Sequence, residues 1–452
     1  MHRERPVRPV TFSATAALRR RCTGLAFAAL LALAAMPVQA ADRVDPGTLT
    51  GKLIMGFQGW FACPGDTSKF GWGHWGSESK GSFNPTIDML PDVSELPAAE
   101  RCPTPMRTAD GQKVALFTDQ NIAPVELQFA WMQQYGLDGV AVQRFATDAL
   151  QPQVGKALDI VLGNVRRAAE DHGRVFFVMY DLSGMKGADL PKVAQDWARL
   201  EQGGLTGSKA YQHHRGHPLL ALWGLGFDGR PIAPGDAEGL LDALAKASAP
   251  YGGVTFFAGV PTHWRIHDHD ASHDVGWDRV WRRMGVISPW SVGRIKDEAS
   301  ADAFRRDVVV PDMAAARAFG ADYMPVIYPG FSIANVMRLH KKPNDAHDNE
   351  IPRNCGRLYW REVYDALSAG ATMLYGAMFD EVNEGTAMFK VVPSKAQAPV
   401  QGFLDGDKFV TLDADGCKLP SDWYLRLAGA ATTALHSHAK PPATLPFPLP
   451  SR

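Results

Sequence analysis

The stretch from Gly139 to Asp181 reads GVAVQRFATDALQPQVGKALDIVLGNVRRAAEDHGRVFFVMYD. It opens on a short apolar run, Gly139–Phe145, and closes on another, Arg174–Asp181. Both are rich in β-branched and aromatic residues and too short for helices. Between them, Val154–Asp171 carries apolar residues at three- and four-residue spacing, the mark of an amphipathic helix. Strand, helix, strand in this order predicts a βαβ unit and a parallel sheet.

The pattern repeats outward in both directions. Further strand-like runs lie at Lys52–Trp60, Pro218–Trp223, Gly253–Val260, Gly285–Trp290, Tyr323–Tyr328 and Thr372–Phe379. Helical periodicity recurs at Leu190–Leu200, Ala237–Ala249, Pro311–Phe319 and Tyr359–Ala369, with Pro311 suited to a first helical position. The runs are apolar on both faces, as strands between a core and a helical layer must be. Eight such units predict an α/β fold, a (β/α)8 TIM barrel forming one catalytic domain. A doubly wound open sheet is the alternative, but no GxGxxG follows the first strand.

A barrel this long is ordinary for one domain, and the chain has 452 residues. With 46% hydrophobic and 21% charged residues it is neither disordered nor fibrous. The formal net charge of −1 lacks the basic footprint of a nucleic-acid binder and suits an uncharged partner such as a carbohydrate. No cofactor and no protein partner is implied, and no segment is long and apolar enough for a membrane span. Residues 1–40 read as a signal peptide: Arg3, Arg5, Arg8 and Arg19–Arg21 precede an apolar stretch, Leu25–Met36, and Val38-Gln39-Ala40 forms a cleavage pattern. Export to the periplasm or beyond is the expectation. Residues 41–440 would form the barrel, and 441–452 a proline-rich tail, disordered or loosely docked.

Five cysteines are present, of which Cys22 would leave with the signal. Cys63, Cys102, Cys355 and Cys417 remain, an even number in a disulfide-permissive compartment. Cys63 with Cys102 is favoured because both lie on loops after the first strand; four free thiols is the alternative reading.

Barrel active sites lie at the C-terminal strand ends. The residues expected there are Gln58, Trp60, His74 and Trp75, then Gln143 and Arg144, Tyr180 and Asp181, and Trp223. Thr262, His263, Trp264 and Arg265, Trp290, Tyr328, Asp380, Glu381 and Glu384 follow. The last group sits in FDEVNEGT, Phe379–Thr386. Carboxylates this close raise one another's proton affinity, so one stays protonated while another stays ionised. Glycoside hydrolysis needs that split, an acid at the leaving oxygen and a base or nucleophile opposite. A solvated acidic loop is the competing reading. Among the 12 tryptophans, Trp60, Trp75, Trp264 and Trp290 are candidates to stack on sugar C–H faces, though a tryptophan is more often core. The run His267–Asp274 reads as an exposed polar loop, since its spacing matches no zinc signature.

These residues resemble the bacterial members of the glycoside hydrolase family 71/99-like barrels, from about Gly51 to about Gly429. The resemblance rests on GFQGWFACPGD (Gly56–Asp66) with His74-Trp75, GVPTHWR (Gly259–Arg265), VISPWSVGR (Val286–Arg294), MPVIYPGFS (Met324–Ser332), FDEVNEGT and LPSDWYLRL. The family 99 signature resembles F-N-E-W-x-E-G-T, so its catalytic glutamates match Glu381 and Glu384. The resemblance implies that Glu381 takes the proton of a sugar 2-hydroxyl and that Glu384 protonates the leaving oxygen of an internally cleaved α-mannoside. Asp380 and Val382 replace the signature's Asn and Trp, which leaves the sugar open. An inactive carbohydrate-binding barrel, a metal-dependent hydrolase using the His/Asp loop, and an α-glucan or xylan hydrolase with a conventional carboxylate pair are the rival readings.

Overall fold

The computed structural model describes residues 43–342 and 345–450; the signal-peptide expectation for 1–40 lies outside them. The strands fall where the apolar runs predict. They are β1 (Leu53–Phe57), β2 (Gly139–Phe145), β3 (Val175–Asp181), β4 (His217–Trp223), β5 (Thr255–Val260) and β6 (Val286–Pro289). The seventh run is divided into β7 (Asp322–Tyr323) and β8 (Val326–Ile327), and β9 (Leu374–Gly376) follows. The parallel order is β7-β6-β5-β4-β3-β2-β1-β9-β8. The two ends of that order are pieces of one segment, so the sheet closes on itself as a barrel.

The division has a local cause. Pro325 lies between the pieces and has no amide hydrogen to give a ladder. Met324 still donates to Ile287 O, and Pro325 O still accepts from Tyr375 N, so the segment bridges its two neighbours. Along β2 the alternation is explicit. Gln143 points inward and donates to the Tyr375 hydroxyl at 3.0 Å, while Arg144 points outward to Asp159 and Asp196 in the helical layer. Gly56 on β1 is required by close approach, because a Cβ there would meet Met378 Sδ at 2.2 Å and Tyr375 Oη at 2.5 Å.

The outer layer holds α1 (Ile122–Tyr135), α2 (Pro152–His172), α3 (Leu190–Gln202) and α4 (Pro234–Ser248). A helix from Glu298 passes through a π turn, Arg305–Val309, into Val310–Ala318, and Arg357–Ser368 and Trp423–His436 complete the ring. Among the described residues no helix is long and apolar enough to cross a membrane. Between β1 and α1 the chain makes a long excursion with two antiparallel hairpins, Gly76–Ser79 with Ser82–Pro85 and Cys102–Arg107 with Lys113–Leu116. Disulfides join Cys63 to Cys102 and Cys355 to Cys417. The proline-rich segment after Lys440 is seated on the helices rather than loose. Trp360 Nε1 donates to Pro442 O at 2.9 Å, and Phe447 meets Trp423 edge-on at 5.1 Å.

Candidate active site

The loop after β9 is held from several sides. Phe379 N donates to Gly56 O and extends the ladder past β9. Val382 O accepts from Asp88 N and Met89 N, Glu384 O accepts from Ser332 N, and Thr386 N closes the turn onto Glu381 O. Gly385 has φ 64 and lies against Ser332, where a Cβ would come within 2.9 Å of backbone. The buried Arg353 guanidinium donates to the carbonyls of Gly385 and Ala387. A turn fixed on every side carries its carboxylates at set positions.

Asp380 is fully buried and accepts from the backbone amides of Gln58 and Gly59 at 2.8–3.1 Å. Burial pushes its pKa up to about 6, against those two donors. Behind it sits the buried Asp119, itself raised by burial and by Asp380. Glu381 is also buried, and both its oxygens are engaged. Gln58 Nε2 donates to Oε2 at 2.8 Å, and Asn383 N donates to Oε1 at 3.0 Å. Burial, then Glu384, then Asp380 raise its proton affinity well above the ordinary range. Glu384 is half-buried at the surface of an adjoining groove and raised by the protein crowding it. The two glutamates titrate as an interacting pair, one backed by donors and the other open to the groove.

The groove has a volume of about 310 Å³. Trp60, His74, Gly76 and Thr86 line one part of it and Ile333, Val336, Leu339 and His340 another, beside Glu381, Asn383 and Glu384. His74 has left-handed backbone, φ 60, with its carbonyl held by Asn383 Nδ2 and Thr86 Oγ1. Its ring stacks on Trp60 at 3.9 Å and 7°, and burial of that face disfavours the imidazolium while the rest of the residue is exposed. Phe145 stacks on Trp60 as well, at 5.4 Å. Trp60 is thus sandwiched and offers no free face, so the exposed platform is His74.

Several expected contacts are placed elsewhere. Trp75 is fully buried, stacked on Phe61 with Nε1 on Phe117 O. Tyr180 and Arg144 face outward and share Asp196, because strand alternation turns them to the helical layer. Trp264 and Arg265 both bind Asp312, tying the loop after β5 to the outer helix. Tyr328 is buried, with its hydroxyl on Ile295. The structure places these six residues in packing or internal hydrogen bonds, with Arg265 part-exposed.

Asp181 and Trp223 are paired in register at the ends of β3 and β4, and Trp290 lies beside Trp223. Trp223 meets Trp290 edge-on at 5.6 Å and lies under the Arg230 guanidinium. Gln143 stays inside the barrel on Tyr375, and His263 pairs with Asp270. The His267–Asp274 run is consumed by such local pairs, and among the described residues no His/Cys/Asp/Glu group is arranged to hold a metal ion. The reading of strand ends missed Asn383, Thr86, Ile333, Val336 and His340. Asn383 lies inside the acidic motif, but nothing local marks the others, which come from the long excursion and the loop after β8.

A closed (β/α)8 barrel with paired carboxylates after its last strand defines the class of this molecule. Within that class it is similar to the GH99 endo-α-mannosidase from Bacteroides thetaiotaomicron. The structure of that protein in complex with BIS-TRIS-propane matches at TM-score 0.60 and 13% identity, over 86% of this chain and 98% of that one. A second structure of it matches at TM-score 0.60 and 14% identity, over 86% and 99%. At this identity the likeness is one of fold. No protein-family model and no curated protein sequence matches the chain.

Proposed function

We propose that the chain is an exported glycoside hydrolase that cleaves a neutral glycan with retention, through Glu381 and Glu384. The observation that carries this reading is the interacting carboxylate pair, with the buried Glu381 held on both oxygens and the half-buried Glu384 facing an open groove. Among the described residues that line the groove are two acids and two imidazoles and no lysine or arginine, which disfavours a uronic or sulfated sugar. Two disulfides support an oxidising compartment.

In the mechanism that the family resemblance suggests, Glu381 takes the proton of the sugar 2-hydroxyl. O2 then bonds to C1 as the bond from C1 to the leaving oxygen breaks, and Glu384 gives that oxygen its proton. Water then attacks C1 as the C1–O2 bond breaks, losing a proton to Glu384, and O2 recovers its proton from Glu381. Back-side attack needs O2 and the leaving oxygen on opposite ring faces, which α-mannosides satisfy and α-glucosides do not. Two inversions at C1 give retention.

Glu381→Gln and Glu384→Gln should each lower kcat on an α-mannan or α-mannoside by about 10²–10⁴-fold with folding intact. NMR of the first-formed anomer should show retention. Near wild-type activity in either variant would remove that residue from the mechanism. A sugar ester trapped on either glutamate by a 2-fluoro substrate would replace 2-hydroxyl participation with a conventional nucleophile.

A further inference from the structure

We propose that Gln58 is a positioning residue whose side-chain amide holds Glu381 in its ionised, proton-accepting state. The inference rests on the assignment of Glu381 as base and goes beyond it. Gln58 directly follows β1, and its backbone amide is anchored on Asp380 at 2.8 Å. The side chain is thereby aimed along the acidic loop, and Nε2 donates to Glu381 Oε2 at 2.8 Å. The other half of the same amide, Oε1, is buried without a partner. An amide that leaves its acceptor unsatisfied in order to donate fits a carboxylate and misfits a carboxylic acid. When Glu381 takes a proton, rotation of the amide brings Oε1 round to accept it, and Nε2 then becomes the unpartnered atom. The amide orientation therefore follows the proton.

The need for such a donor comes from the surroundings. Asp380 and Glu384 face Glu381 from its own loop, and Asp119 stands behind Asp380. From the barrel interior the Tyr375 phenol faces Asp380, and across the groove stand His340 and His74, the latter with its imidazolium form disfavoured. No lysine or arginine among these groups offsets three acids. Burial and like charge drive Glu381 toward its neutral form, in which it takes no proton. The donors opposing this are Gln58 Nε2 and the Asn383 amide, and only the first is a side chain.

The test is pH-titrated infrared difference spectroscopy of the free enzyme, following the carboxyl C=O band that disappears in Glu381→Gln. In Gln58→Leu the Glu381 midpoint should rise by about 1–2 pH units, as expected for loss of one charge-assisted hydrogen bond. The acidic limb of kcat/KM should move up with it while the maximum of the bell-shaped profile stays within about tenfold of wild type. Gln58→Met, unbranched and of similar length, should give the same shift if the leucine variant does not fold. An unmoved midpoint in a folded variant overturns the proposal, as does a uniform loss of activity at every pH. If Glu381→Gln proves active, the base assignment fails, yet the shift in midpoint still reports on Gln58 independently.

Discussion

Asp380 occupies the position where the resembling family signature has an asparagine, and its environment gives that difference a measurable consequence. Its folded pKa of about 6 stands above the ordinary 3.8. A carboxyl raised in the folded state contributes stability that is full below about 3.8 and lost as pH rises through about 6. The loss amounts to about 3 kcal/mol. Asp380→Asn should abolish this decline, seen by denaturant melts at pH 4 and pH 7. Because Asp380 also raises Glu381, the same variant should move the acidic limb of kcat/KM to lower pH, opposite to Gln58→Leu. The tryptophans divide at this scale too. Trp264→Phe removes the Nε1 hydrogen bond to the buried Asp312, so stability should fall by about 1–3 kcal/mol with KM unchanged. A raised KM with unchanged melting would return Trp264 to the substrate site.

At the scale of elements, the legible parts are those with one dominant force. β2 and β3 are recovered almost to the residue because strands covered on both faces must be continuously apolar. The hairpins of the β1–α1 excursion escape because strands of four residues such as GSES and SFNP are too short and too polar to stand out from loop. Their position is set instead by distant partners, including the Cys63–Cys102 bridge and the Asn383 contacts with Thr86 and His74. The second bridge acts on the acidic loop. Asn354 and Cys355 have φ of 47 and 58, left-handed values that non-glycine residues hold only when neighbours enforce them. They adjoin Arg353, whose guanidinium fixes the carbonyls of Gly385 and Ala387. Replacing Cys355 and Cys417 together by serine should cost about 4 kcal/mol for the 62-residue separation, measured by chemical denaturation. It should also lower kcat through the loosened Glu384 loop, whereas the Cys63/Cys102 pair of serines should not act through Arg353.

For the whole molecule, barrel closure depends on a broken strand, and the C-terminal segment closes over the helical ring. Deleting residues 441–452 uncovers Trp360 and Trp423, both nearly fully buried. Melting temperature should fall, with a loss of about 2–4 kcal/mol at the apolar-burial rate. Equal melting of the truncated and full chains would show that the segment does not pack in solution. What the sequence determined by itself is the strand and helix order, hence the barrel, together with the acidic motif at the last strand end. Those are properties of local periodicity and of residues adjacent in the chain. Tertiary structure alone decided which aromatic rings are walls and which are core, that Trp60 is sandwiched, and that Gln58, Asn383 and the Ile333–His340 segment meet Glu381 and Glu384. Such outcomes depend on which way a side chain turns at a strand end and on loops brought together across more than 300 residues, where burial and hydrogen bonding between distant groups outweigh any local preference.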